Sequence, residues 1–106
     1  MRIAVAADHN DATMNVSLYG GRAPFFLVFD EHGEVLESFA NPYHEIDRHA
    51  GYEVSRLLAE MGIDIVIGGV FGPTMISELS ARAIKCITKS GPARHAVLAL
   101  NLENEF

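Results

Sequence analysis

The sequence predicts a single α/β domain built on a mixed five-stranded sheet, and three observations carry that expectation. Short β-branched apolar runs recur along the chain. After the third run they alternate with segments whose apolar residues repeat at the helical period. Gly and Pro fall between these segments as punctuation, with no repeat, low-complexity tract or linker.

Arg2 to Ala7, rich in Ile, Val and Ala, reads as a buried first strand. The connection over 8–24 is much longer than the usual span of about 2–6 residues, a length that goes with function or mobility. Phe25 to Asp30 is a second strand, and Glu31-His32-Gly33 a hairpin turn in which glycine supplies positive φ. Glu34 to Phe39 mixes acids with Val35 and Leu36, which suits a third strand near the edge of the sheet. Asn41-Pro42 breaks it, and Asp47 is placed to cap a helix carrying Ala50, Val54, Leu57, Leu58 and Met61 on one face. Gly62 closes that helix.

Ile63 to Ile67 is wholly apolar, as a central parallel strand should be. Gly68 to Pro73 then turns into a second helix, with Pro73 at its first position and Ile76, Leu79 and Ala83 expected to face inward. Ile84 to Thr88 is a fifth strand, containing Cys86, and Ser90-Gly91-Pro92 opens a last helix through Ala93, Val97 and Leu100. The order is β-β-β-α-β-α-β-α. Right-handed crossovers make strands one, three, four and five parallel, with strand two antiparallel. That is the ribonuclease H-like arrangement.

Composition narrows the function. The 106 residues fit one domain, residues 1–106. One cysteine leaves no internal disulfide, which points to a reducing, cytoplasmic setting. The apolar start is too short for a secretory signal, and no run is long enough to span a bilayer. A net charge of −6 speaks against nucleic acid as a partner. A two-metal nuclease of this fold is disfavoured too. Asp8 lies at the useful end of the sheet and Glu53 along the first helix, but Asp64 begins its strand at the other end.

Four connections are expected to leave the same edge of the sheet: 8–24, 40–48, 68–73 and 88–92. Three lead into helix starts, at Asp47, Pro73 and Pro92. Ligands of open α/β sheets bind beyond the carboxyl ends of the strands, and helix N-termini favour anions there. Gly68, Gly69 and Gly72 allow close approach to the backbone. His9, His44, His49 and His95 fall in or beside these connections, as do Arg22, Arg48, Lys89 and Arg94. His9 leads this group because it follows a central strand directly. His95 reads as a surface residue, His32 sits at the far end, and Cys86 reads as a buried, inert thiol. No CxxC or HExxH spacing marks a zinc site, and no nucleophile–base–orienter set marks an enzyme.

Two segments carry a family resemblance. Ser17-Leu18-Tyr19-Gly20-Gly21-Arg22-Ala23-Pro24-Phe25-Phe26 resembles the Ser-x-His-Phe-Gly-Arg-Ala-x-x-Phe segment of the dinitrogenase iron–molybdenum cofactor biosynthesis family. The Asn41-Pro42 break and the run from Leu57 through Gly68-Gly69-x-x-Gly72-Pro73 are similar to that family's middle. The resemblance spans nearly the whole chain and implies a ribonuclease H-like fold. It implies non-enzymatic binding or carriage of an anionic metal–sulfur cluster, such as the iron–molybdenum cofactor, a precursor or a molybdenum or iron sulfide cluster. A cluster donor or acceptor protein is then the partner. The resemblance and the edge reading together give the expected binding residues as His9, Tyr19, Gly21, Arg22, His44, His49, Gly69, Gly72 and Pro73. Tyr19-Gly20 stands where the family motif has His-Phe, and a phenol is a poorer metal ligand than an imidazole. Metal ligation is then expected from His9, His44 or His49, or else the chain holds a different ligand. The alternative is an interaction or regulatory module of the same fold without a cluster, dimerising through segment 25–29 or the 34–39 edge.

Overall fold

The computed structural model describes residues 1–46 and 48–104. The elements run β1 (Ile3–Ala7), β2 (Phe25–Phe29), β3 (Val35–Ala40), α1 (Ala50–Glu60), β4 (Ile65–Gly68), α2 (Pro73–Ala81), β5 (Lys85–Thr88) and α3 (Ala93–Leu102). The sheet order is β3-β2-β1-β4-β5, with β2 antiparallel to both neighbours and β1, β4 and β5 parallel. The expected ribonuclease H-like layout is the one the chain adopts.

β1 sits in the centre because every one of its residues is apolar and small enough to be covered on both faces. Its alternation sorts the core into two layers. Ile3, Val5 and Ala7 pack with Leu27, Phe29, Ile65 and Ile67 against Val97 and Leu100 of α3. Ala4 and Ala6 pack with Phe26, Val28 and Val66 against Val54 and Leu58 of α1 and Met75 and Leu79 of α2. The edge strand β3 is largely exposed, as its acids lead one to expect.

At the β2–β3 hairpin, Gly33 takes φ 81°. Asp30 accepts the backbone N–H of His32 at 2.8 Å and of Glu34 at 3.0 Å. These bonds, Glu34's foremost, hold the Asp30 carboxyl below its ordinary 3.8. A carboxyl lowered in the folded state adds stability above that ordinary value and loses it as pH falls through the folded value. Urea midpoints measured at about pH 5 and about pH 2.5 should therefore differ less in Asp30→Asn than in the parent chain.

Two expectations change on the helices. The inward face of α2 is Met75 and Leu79, whereas Ile76 is 48% exposed. Ala83 lies beyond the helix at φ 58°, where Ala83 N–H bonds Ser80 O and Ile84 N–H bonds Leu79 O. This is a Schellman closure, so the chain has already turned before Ala83 can extend the stripe. Gly62 closes α1 by the same pattern at φ 72°, through Gly62 N–H to Ala59 O and Ile63 N–H to Leu58 O. At the other end of α1, the cap expected at Asp47 lies outside the described residues. The helix begins at Ala50 with His49 as N-cap residue, in the left-handed region at φ 63° and without a side-chain cap bond.

Cys86 is half-buried on the outer strand β5 rather than enclosed. Partial burial still pushes its thiol up to about 11, which keeps it protonated and unreactive at neutral pH. Among the described residues, no helix is long and apolar enough to cross a membrane.

Candidate functional site: a cationic cleft at the sheet edge

The long 8–24 connection is stitched down rather than loose. Val16 N–H bonds Gly91 O at 2.8 Å, and Ser17 N–H bonds Ala6 O at 2.8 Å. Gly69 N–H bonds Ser17 O at 2.9 Å, and Gly20 N–H bonds Val70 O at 2.8 Å. Residues 15–20 thus run on from the sheet between the 69–70 and 91–92 turns, with bridges Asn15–Pro92 and Tyr19–Val70. The expected meeting of these connections at one edge is observed.

The glycines that permit this do so for the chain itself. A Cβ on Gly69 would lie 2.7 Å from Leu18 Cα and 2.8 Å from Leu18 O. A Cβ on Gly20 would collide with the Phe71 ring and sit 2.8 Å from Val70 O. Phe71 thus occupies the space that a larger residue than Gly20 would need. On Gly51, in the first turn of α1, a Cβ would stand 3.0 Å from both the N and the Cβ of Met75. That missing methyl lets the starts of α1 and α2 approach each other.

Between those two helix starts and the 19–22 segment lies a cleft of about 370 Å³. Tyr19, Gly20, Gly21 and Arg22 form one wall, Arg48 to Gly51 a second, and Val70 with Gly72 to Met75 the third. Neither N-cap residue, His49 on α1 or Gly72 on α2, makes a side-chain cap bond, and the first turns of both helices line the cleft, with Pro73 contributing no N–H. Arg22, Arg48 and His49 bring cationic or cation-capable groups, and among the described residues no carboxylate lines the cleft. The charged side chains among the described lining residues are thus of one sign, on a chain with net charge −6. Arg22 also donates to the backbone carbonyl of Ile46, two residues before the second wall begins.

The site residues expected from the sequence divide between several places. Tyr19, Gly21, Arg22, His49, Gly72 and Pro73 all line this cleft. His9 lies elsewhere, in a smaller recess of about 280 Å³ with Asp8, Thr13, Met14 and Asn15. His44 lies on the strap after β3, its Nδ1 3.1 Å from Asn41 O and its Nε2 3.3 Å from Glu45 Oε1. Gly69 packs beneath Leu18. Among the described residues, no three His, Cys, Asp or Glu side chains gather into a metal-binding group.

The expected ring of cations also narrows. Lys89 pairs with Glu103, and Arg94 donates to Gly33 O at 3.0 Å, so neither belongs to the cleft. The start of α3 is occupied by the chain, since Ala93 N–H bonds Met14 O at 2.9 Å. Two helix starts rather than three therefore face the cleft. Gly51 and Met75 went unnoticed in the sequence; a glycine in the first turn of an otherwise well-formed helix was the available signal.

An α/β sheet with a cleft beyond its strand ends has the layout in which open α/β domains bind their ligands. The particular family follows from comparison: the model described as dinitrogenase iron-molybdenum cofactor matches residues 1–102, and the chain belongs to that family. No curated protein matches it significantly. Among solved structures, the apo form of the orange protein from Desulfovibrio gigas is 28% identical. The match covers 98% of this chain and 88% of that one, with TM-score 0.87. A putative NifB protein from Thermotoga, of the DUF35 family, shares the fold at 24% identity and TM-score 0.75, over 96% of this chain and 87% of that one.

Proposed function

We propose that this protein binds an anionic metal–sulfur cluster in the cleft between the starts of α1 and α2 and carries it without chemical conversion. The observation that carries the reading is the donor set. Among the described residues, two arginines, a histidine and the starts of two helices line one cleft without a carboxylate, on a chain with net charge −6. Family membership and the likeness to a protein solved in an apo form support it. The cleft contains no thiolate, and no group of three ligating side chains gathers among the described residues. A cluster would therefore bring its own sulfide ligands and be held by charge and N–H donors.

Such binding is reversible, as carriage requires, and the cargo must reach a donor or acceptor protein across the cleft mouth. Tyr19 and Val70, which line the cleft, and Leu18 next to Tyr19 in the chain are 58%, 57% and 60% exposed. This apolar rim suits a docking partner. The same rim favours the second reading, an interaction module that works without cargo.

Anaerobic reconstitution with tetrathiomolybdate, or with iron and sulfide, followed by desalting and metal analysis, separates the two. Carriage predicts retained metal and a sulfide-to-metal charge-transfer band. A colourless, metal-free product would leave only the interaction module.

A further inference from the structure

Among the described residues, three polar side chains are fully buried: Ser17, Asn41 and Ser55, at 0%, 1% and 0% exposure. Both core layers are otherwise apolar. Each of the three places one hydrogen bond on a residue that lines the cleft: Ser17 on Tyr19, Asn41 on Gly21 and Ser55 on Gly51.

Asn41 Nδ2 donates to Gly21 O and to Ala23 O, both at 2.9 Å, gripping the two residues that flank Arg22. Its Oδ1 accepts Tyr43 N–H at 2.9 Å, and its own N–H bonds Pro24 O at 2.8 Å. Ser17 Oγ accepts Tyr19 N–H at 3.1 Å while donating to Asp8 Oδ1 at 2.7 Å. Ser55 Oγ donates to Gly51 O at 2.7 Å, one turn back in α1. None of the three lines the cleft.

We infer that Ser17, Asn41 and Ser55 are positioning residues that fix the cleft backbone before a ligand arrives, resting on the reading of the cleft as an anion site. A buried, fully satisfied polar network specifies one arrangement where apolar packing tolerates several. An anion held by diverging N–H groups and arginines gains most when those donors need not be ordered on binding. Asn41 carries the largest share, because a single amide fixes both peptide carbonyls beside Arg22.

The test compares Asn41→Ala with Val97→Ala, a cavity variant in the opposite core layer, after matching their loss of Tm. Amide hydrogen exchange without ligand should quicken at residues 19–23 in Asn41→Ala and not in Val97→Ala. Tetrathiomolybdate binding should weaken by about 10- to 100-fold in Asn41→Ala, the range seen when outer supports of a site are removed. Binding should hold in Val97→Ala. In an Arg22→Ala background Asn41→Ala should add little, because the group it positions is gone. Should Asn41→Ala fail to fold, Ser17→Ala gives the same pattern at smaller size, read at Tyr19.

Equal exchange in the two matched variants, or equal weakening of binding, would overturn the inference. Failure of the unmodified chain to bind thiomolybdate instead overturns the function proposed above. The exchange comparison still decides whether the brace exists.

Discussion

Replacing Arg22 and Arg48 together by alanine should weaken tetrathiomolybdate binding by about a hundredfold or more, with the fold intact. Each arginine that bonds an anion contributes about 1.5–3 kcal/mol through a charge-assisted hydrogen bond, and each 1.4 kcal/mol is about tenfold in affinity. Arg22 has a second task in holding Ile46 O, so the single Arg22→Ala change should exceed Arg48→Ala. Arg56→Ala is the control. It removes the same unit of charge, but Arg56 is engaged with Glu53 and Glu60 on α1 and does not line the cleft. Titrations at matched ionic strength should find Arg56→Ala close to the parent. An equal loss in all variants would mean that net charge, not the cleft, governs binding.

The second large effect concerns glycines that look alike in sequence. Gly69→Ala should destabilise the fold by about 1–3 kcal/mol, the range for forced overpacking. The three atoms nearest its new methyl are all backbone atoms of Leu18, at 2.7 to 3.0 Å. Those atoms cannot turn aside as a side chain would. The Gly69 N–H to Ser17 O bond and the seat of the 17–20 segment should go with it, so ligand binding falls together with Tm. Gly72→Ala is the contrast: a Cβ there meets nothing within 4 Å. Its Tm should shift by no more than an ordinary surface change, within about 0.5 kcal/mol. Thermal melts of the two variants decide whether the glycines after β4 serve the chain or the ligand.

That contrast shows where the sequence was legible. β1 and β4 were readable because strands covered on both faces are continuous apolar runs, and α1 because Ala50, Val54 and Leu58 repeat at the helical period. The edge position of β3 followed from its acids. On α2 the sequence offered Met75 and Ile76 side by side, and it is tertiary packing, Met75 against α1 and the sheet, that selects which one turns inward. Arg22 and His49 could be placed at the cleft because topology alone brings their connections to one edge. Lys89 and Arg94 could not be excluded from it, since their partners Glu103 and Gly33 are distant in sequence or on other elements. The role of Gly69 was hidden for the same reason. Close approach was evident, but the identity of what approaches is a long-range fact.

Backbone amide shifts recorded as the isotopically labelled chain is titrated anaerobically with tetrathiomolybdate reach the central point most directly. Saturable shifts concentrated at 19–22, 48–51 and 72–75 are the expected result, with the His9 recess at 8–15 little changed. Shifts centred on that recess, or no saturable change anywhere, would contradict the assignment of the cationic cleft as the place where cargo is held.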